Sequence, residues 1–448
     1  MNKYCNAKLL KKTLDNFIMG QEEGTRSIAM AIANHLQNIE AKERGHLEKG
    51  ERIQTDNVLL IGPTGCGKTE TFRVLRQLEQ IFRCPVIFID SSLYSGNGTW
   101  RNTKPIKTIF NDVVIRAGDI YFEENGYDNE DSDIIREEII KIANNAIILI
   151  DEFDKLSLKG TENGLLYYQE YQNTLLRLIE GEAVKCHNMT TSYKKAGDDD
   201  DNDKKTIEIE DIELDTANML FIMLGAFDGL KTITRYRLHQ EWLVKHENDR
   251  PRHILYQDTT LGFTVVPQKQ NETDLDKEPE YSYNQLIPST EDLVRYGFMP
   301  ELVGRIPLRT VYNPLSEEVL VDILLHCKTS VYRDYQRRFQ RRGHLLRCNR
   351  SALWEIAHTA VGRGSGARGL RNVFSEKLQQ VEYELSGDER AMHVLLRGKD
   401  IRDGKSPLIH DCTKKAINKQ RKRVVSELKK VITIAKAKKQ AKKGSNGK

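Results

Sequence analysis

The chain lacks any apolar run approaching the roughly 20 residues that a membrane span needs. Its longest, Met219 to Phe227, has the length of a buried strand, so no membrane contact is expected. No charged-apolar-small leader is read at its start, which makes the cytoplasm the expected compartment. The seven cysteines (5, 66, 84, 186, 327, 348 and 412) stand apart, with no Cys-x-x-Cys pair. That spacing argues against a zinc site or a disulfide framework and fits reduced thiols. Internal repeats and heptads are absent too. What is there is 448 residues, 39% hydrophobic and 30% charged, enough for two or three domains with sizeable cores.

Residues 58–69 read Val58-Leu59-Leu60-Ile61-Gly62-Pro63-Thr64-Gly65-Cys66-Gly67-Lys68-Thr69. An apolar strand thus runs into a complete phosphate-binding loop. Glycines let backbone amides converge on a triphosphate, Lys68 neutralises its outer phosphates, and the Thr69 hydroxyl can ligate Mg²⁺. The helix-compatible run from Glu70 to Gln80 sets the anion at a helix N-terminus. An ordinary glycine-rich turn is the bland alternative, and it explains neither the strand before nor the helix after. A second signature, Ala146-Ile147-Ile148-Leu149-Ile150-Asp151-Glu152, begins 78 residues past Lys68. It places two carboxylates at the C-terminal end of a buried strand, the edge at which parallel sheets bind ligands. There Asp151 is read as the magnesium partner and Glu152 as the base that polarises the attacking water.

Beta-rich runs at Val86–Asp90, Ala146–Asp151, Met219–Leu224 and Leu308–Val311 alternate with helical segments, which predicts an α/β fold with a parallel sheet. Residues 8–40 carry apolar positions at three-to-four spacing and predict helix. Polar breaks near 195–215, with the acidic run Asp198 to Asp201, and near 256–290 read as a hairpin or loop insertion and an exposed loop. From Ser316 onward the pattern is mostly helical. The net charge of +4 hides a basic end: residues 413–448 hold fourteen Lys or Arg and one acid, Glu427, leaving the remaining chain at −9. This tail is either a hook for nucleic acid or another acidic partner, or a solvated basic helix.

The stretch Leu149-Ile150-Asp151-Glu152-Phe153-Asp154-Lys155-Leu156 resembles the Walker B segment of AAA+ unfoldases of the ClpX family. Further ClpX-like blocks follow the family's order. They are Phe17-Ile18-Met19-Gly20-Gln21; Leu175 to Glu182; Asn218 to Phe227; Tyr296-Gly297-Phe298-Met299-Pro300-Glu301-Leu302-Val303-Gly304-Arg305-Ile306-Pro307; and Gly366-Ala367-Arg368-Gly369-Leu370-Arg371. The resemblance implies a P-loop AAA+ parallel-sheet large domain over residues 1–312. A smaller, mostly α-helical (α+β) lid would cover 313–405, hinged near Asn313-Pro314, with a basic helical or disordered tail over 406–448. It further implies that Ile18 and Met19 pack on adenine and that Arg305 is an arginine finger reaching a neighbour's γ-phosphate. Arg368 becomes the sensor-2 arginine. A finger that acts in trans implies a ring, in this family a homohexamer, with ATP and Mg²⁺ as cofactors and polypeptides as substrates.

The sequence departs from the family at three places. The family's four-cysteine zinc segment has no counterpart, which puts adaptor docking through it in doubt. The first pore loop, Gly-Tyr-Val-Gly in the family, is replaced by Leu93-Tyr94-Ser95-Gly96-Asn97-Gly98-Thr99-Trp100, so Tyr94 or Trp100 would supply the gripping ring. Leu224 stands before Gly225-Ala226-Phe227, where sensor 1 normally offers a small or polar side chain. Leu261-Gly262-Phe263 lies where ClpX-type proteins carry the loop that docks on a ClpP-like peptidase; two apolar anchors on a turn suit a pocket. The expected function is an ATP-dependent unfoldase feeding such a peptidase. Two rivals are a nucleic-acid-linked AAA+ motor or loader, binding through the basic tail alone, and a weakly active ClpX-like scaffold.

Overall fold

The structure, a computed structural model, describes residues 3–45, 55–95, 103–125, 132–157, 162–186, 189–193, 205–209, 212–245, 281–388 and 390–412. Five short apolar runs form one sheet: β1 (Val58–Ile61), β2 (Val86–Asp90), β3 (Ile147–Asp151), β4 (Leu220–Gly225) and β5 (Leu308–Val311). Their order is β5-β1-β4-β3-β2, and every pairing is parallel. Strands apolar on both faces require cover on both, and the alternation of side chains divides them between two cores. Leu59, Ile61, Ile87, Ile148, Ile150, Phe221 and Met223 enter one cluster; Val58, Leu60, Val86, Ile147, Leu149, Leu220, Ile222 and Leu224 enter the other.

The second cluster is closed by helices α1 (Ala7–Leu14), α2 (Glu22–Glu43) and α3 (Lys68–Phe82). The first is closed by α4 (Ile109–Asn125), α5 (Ser132–Ala143), α6 (Glu162–Glu180) and the short helices Thr290–Tyr296 and Pro300–Gly304. Asn57, buried just before β1, ties three strands at the sheet's amino edge. Its Oδ1 accepts from the Phe221 amide at 3.0 Å, its carbonyl accepts from Leu308 at 3.2 Å, and its Nδ2 donates to the Arg305 carbonyl at 3.1 Å.

Two sequence expectations need correction. The single helical reading of residues 8–40 is two helices: α1 ends at Leu14, and residues 15–21 form an irregular connection containing Gly20 at φ +73°, a left-handed backbone that a helix cannot contain. The insertion near 195–215 begins earlier. Ala183–Cys186 pairs antiparallel with Ile212–Asp215, and Met189–Tyr193 pairs antiparallel with Lys205–Ile209. Val184, Cys186, Ile212 and Leu214 are buried while their neighbours face out, so the base of this hairpin is rooted in the core. The acidic run 198–201 lies outside the described residues.

A third cluster, from Leu320 to Ile401, has its own helices: Glu317–His326, Val331–Arg341, Arg350–Gly362 and Gly366–Glu384. Three strands, Leu345–Cys348, Met392–Leu396 and Leu408–Asp411, form its sheet, with the first pair parallel and the second antiparallel. The last strand lies beyond residue 405, where the sequence reading ends the small domain. Among the described residues no helix is long and apolar enough to cross a membrane.

His35 of α2 is buried, with Nε2 3.0 Å from the Asn145 carbonyl just before β3. Burial lowers its pKa from 6.5 to about 4, against the opposite pull of that carbonyl. The unfolded chain therefore takes up a proton that the folded chain refuses. Stability is full above pH 6.5 and declines as pH falls toward 4, by up to about 3 kcal/mol. Urea unfolding of His35→Gln should show a shallower loss of midpoint between pH 7 and 5 than the parent; parallel curves would refute this.

Candidate nucleotide-binding site

The loop after β1 folds as a cradle because its glycines accept backbone angles and approaches that other residues refuse. Gly65 (φ +79°) and Gly67 (φ +112°) are left-handed. A β-carbon on Gly65 would sit 2.4 Å from the Ser365 carbonyl oxygen. Gly67 begins α3 with no side-chain cap, so the first-turn amides and the positive end of the helix dipole face the cradle. The Lys68 ammonium lies across the loop, donating to the carbonyls of Gly62 and Pro63, the latter at 2.9 Å. Thr64 is exposed at the rim, and Thr69 is half-buried in the first turn of α3. Cys66 is buried, and burial pushes its thiol pKa up despite Lys68 nearby, so it serves as packing.

The acids arrive from β3. Asp151 ends this strand opposite Asp90 of β2. Burial pushes the Asp151 carboxyl above its ordinary range; the Glu152 amide, Lys68 and Arg368 pull it back, and Asp90 adds to the rise. Two cations and this carboxylate are thus within electrostatic reach of one another. Glu152 adopts φ +55°, left-handed and strained for a residue with a side chain. Its amide donates to Asp151 Oδ1 at 2.9 Å, and its carbonyl accepts from Ser91 Oγ at 2.8 Å. Such strain persists only where surrounding bonds over-determine it.

Arg368 comes from the first turn of the helix Gly366–Glu384 in the third cluster. Its Nη2 lies 3.5 Å from Thr69 Oγ1, and the neighbouring Ala367 amide donates to the Gly65 carbonyl at 3.0 Å. Ile18 is buried against the loop: a β-carbon on Gly67 would meet its Cγ2 at 3.5 Å. Met19 beside it is half-buried. Leu224 is fully buried in the second core, so no polar side chain stands at this position of β4.

Arg305 is elsewhere. Its carbonyl is held by Asn57 at the amino edge of β1, whereas the cradle lies at the carboxyl edge. Its Nε and Nη2 donate to Glu180 Oε1 at 2.9 and 2.6 Å on the exposed surface. Tyr94 is the one of the two candidate gripping aromatics that lies among the described residues. It is half-buried against the first core, and its carbonyl accepts from the Tyr167 hydroxyl at 2.7 Å. Trp100, the loop Leu261-Gly262-Phe263 and the tail from residue 413 lie outside the described residues.

Several participants escaped the motif reading. Asp154 accepts from the Phe227 amide at 3.3 Å, joining the acidic turn to the end of β4. The rings of Phe153, Phe227, Tyr296 and Phe298 pack together, Phe298 stacked on Phe153 and Tyr296 with Phe227 tilted against them. Gln21 bonds the cradle itself, and its place at the end of the block Phe17 to Gln21 was its only sequence signal.

The family model described as AAA domain (Cdc48 subfamily) matches residues 53–309. The ATP-dependent Clp protease ATP-binding subunit ClpX of Treponema denticola is 28% identical over 407 residues, covering 89% of this chain and 81% of that protein. The proteins of the same name from Borrelia duttonii and Borrelia recurrentis are each 27% identical over 393 residues, covering 87% of this chain and 76% of theirs.

Gly65 is the point where the cradle and the third cluster meet backbone to backbone. Gly65→Ala should weaken binding of a fluorescent nucleotide by about tenfold or more, because the methyl group must displace Ser365 and strain a left-handed residue. An unchanged dissociation constant would show that the loop does not need this approach.

Proposed function

The chain belongs to the AAA family as a ClpX-type ATPase, and from that premise we propose a ring motor that unfolds polypeptides with the energy of ATP. The observation that carries the reading is the division of cations. Lys68 and Arg368 gather at the carboxyl edge with Asp151, while Arg305 stands at the amino edge. The four residues of β1 separate the edges by about 13 Å. Arg305 therefore serves a neighbouring copy, and head-to-tail copies close into a ring, in this reading a homohexamer.

In each shared site Lys68 and the amides of Gly62 and of Thr64 to Thr69, including that of Cys66, hold the phosphates, Pro63 having no N–H to give, while Ile18 and Met19 flank the base. Mg²⁺ would be held by Thr69 and Asp151 together with phosphate oxygens, where it neutralises charge on the transferring group. Glu152 orients water and takes its proton as the oxygen attacks the γ-phosphorus and the bond to ADP breaks. The neighbour's Arg305 and the chain's own Arg368 bear the charge that spreads over the γ-oxygens; guanidinium does so without losing a proton.

With Tyr94 in the domain wall, Trp100 is the ring that would grip a polypeptide in the channel. The relatives are named as ATP-binding subunits of Clp protease, and Leu261-Gly262-Phe263 has the chemistry to dock on a ClpP-like peptidase. The setting for this work is the cytoplasm. One observation favours a second reading, a weakly active scaffold: Leu224 gives β4 no polar group with which to orient water.

Three measurements decide among these. Glu152→Gln should bind ATP normally and turn it over about 10²- to 10⁴-fold more slowly; equal, negligible rates in both proteins would favour the scaffold. Mixed Arg305→Ala and Lys68→Ala proteins should recover part of the turnover that each lacks alone, since some junctions then join an intact cradle to an intact arginine. No recovery in mixed rings would refute catalysis in trans. The wild type with ATP should unfold a tagged, stable reporter, and hydrolysis without unfolding of any polypeptide would remove the motor.

A further inference from the structure

Resting on that reading, we infer that Gln21, seconded by Tyr312, is the device that couples the phosphate cradle to the position of the small domain. Gln21 is 1% exposed and makes three bonds to backbone. Its Nε2 donates to the Cys66 carbonyl at 3.2 Å and to the Asn313 carbonyl at 2.9 Å, and its Oε1 accepts from the Asn313 amide at 2.7 Å. Only one orientation of the carboxamide satisfies two carbonyls and one N–H, so the side chain is fixed. The Cys66–Gly67 peptide is trans, and its carbonyl and N–H point in opposite directions. Holding the carbonyl on Gln21 therefore turns the Gly67 N–H away from Gln21. The other end of the same carboxamide grips Asn313, where the connection to the helix Glu317–His326 begins.

Tyr312 makes a parallel tie. Its buried hydroxyl is 2.9 Å from Thr71 Oγ1 on α3, and its ring and backbone fill the space that β-carbons on Gly24 and Gly62 would occupy. The segment around Gln21 also carries the small domain directly. The Asn16 carbonyl accepts from the Lys328 amide at 3.3 Å, the Phe17 carbonyl accepts from Cys327 Sγ at 3.3 Å, and Gly20 lies against Val319. Residues 16–21 thus touch the cradle on one side and the small domain on the other, with Gln21 as the hydrogen-bonded link between them. A turn of the Cys66–Gly67 peptide on gain or loss of phosphate is passed to Asn313 and from there to the domain beyond.

The test uses the full chain with dyes at the exposed positions 134 and 383, one in each domain, and Mg²⁺ with the non-hydrolysed analogue AMP-PNP. In Gln21→Glu both carbonyls face an oxygen instead of an N–H donor. At saturating AMP-PNP the nucleotide-induced change in energy transfer should fall about fivefold or more, and kcat should fall by a larger factor than KM rises. A full response in the variant, or lost affinity with the response retained at saturation, would overturn the coupling role and leave Gln21 a pocket wall. Should Gln21→Glu fail to fold, Tyr312→Phe decides: it removes one hydroxyl, and an undiminished response overturns the proposal. A wild type that responds to AMP-PNP yet never hydrolyses ATP would sink the proposed function alone.

Discussion

Both faces of the five-stranded sheet are covered by apolar side chains, and this leaves polar chemistry only the sheet's two edges. At the carboxyl edge β1 runs into Gly62, and β2, β3 and β4 end in Asp90, Asp151 and Gly225, so loops and carboxylates collect there. At the amino edge Asn57 satisfies the backbone of three strands and fixes the turn that carries Arg305. A site that needs groups from both edges cannot be completed within one copy. On the proposed reading, in which Arg305 serves the nucleotide site, the requirement for a second subunit follows from burial of the sheet.

The small domain meets this edge through backbone. Gly65 and Gly366 approach so closely that neither has space for a β-carbon, and the Ala367 amide donates to the Gly65 carbonyl. Contacts of this kind offer little area for hydrophobic stabilisation, so they hold the domains in register without fixing them. Arg368 adds a cation whose exposed side chain is only loosely attached to Thr69, at 3.5 Å. An apolar contact is made where Gly20 lies against Val319, close in sequence to the Asn313-Pro314 connection.

The strands Val86–Asp90 and Leu308–Val311 were legible to the residue, because a strand buried on both faces must be a continuous apolar run. The AAA fold and the ATPase chemistry were legible for a related reason: the phosphate cradle depends on main-chain geometry that few residue types permit. The break between α1 and α2 was missed because it depends on the φ of one residue, Gly20, inside a periodic pattern. The hairpin was read short because its buried alternation, Val184 and Cys186 against Ile212 and Leu214, covers only four residues on each strand. The bonds of Gln21 were invisible for a deeper reason. Their partners lie 45 and 292 residues away and are backbone atoms, which leave no mark in the side-chain sequence.

The pairing of Arg305 with Glu180 shows how an exposed contact can matter without stabilising the fold. Both side chains are more than two-fifths exposed, and surface pairs of this type contribute about 0–1 kcal/mol. The bond is therefore too weak to be needed for folding, and weak enough to be exchanged. A triphosphate offers a guanidinium more negative charge than one carboxylate does. If Arg305 is the proposed finger, moving it from Glu180 to such a phosphate would cost little and gain more, so its resting partner keeps the arginine at the edge without trapping it. On the proposed reading the arginine remains solvated until a neighbour's nucleotide arrives, and the energy of the transfer would appear only where two copies meet.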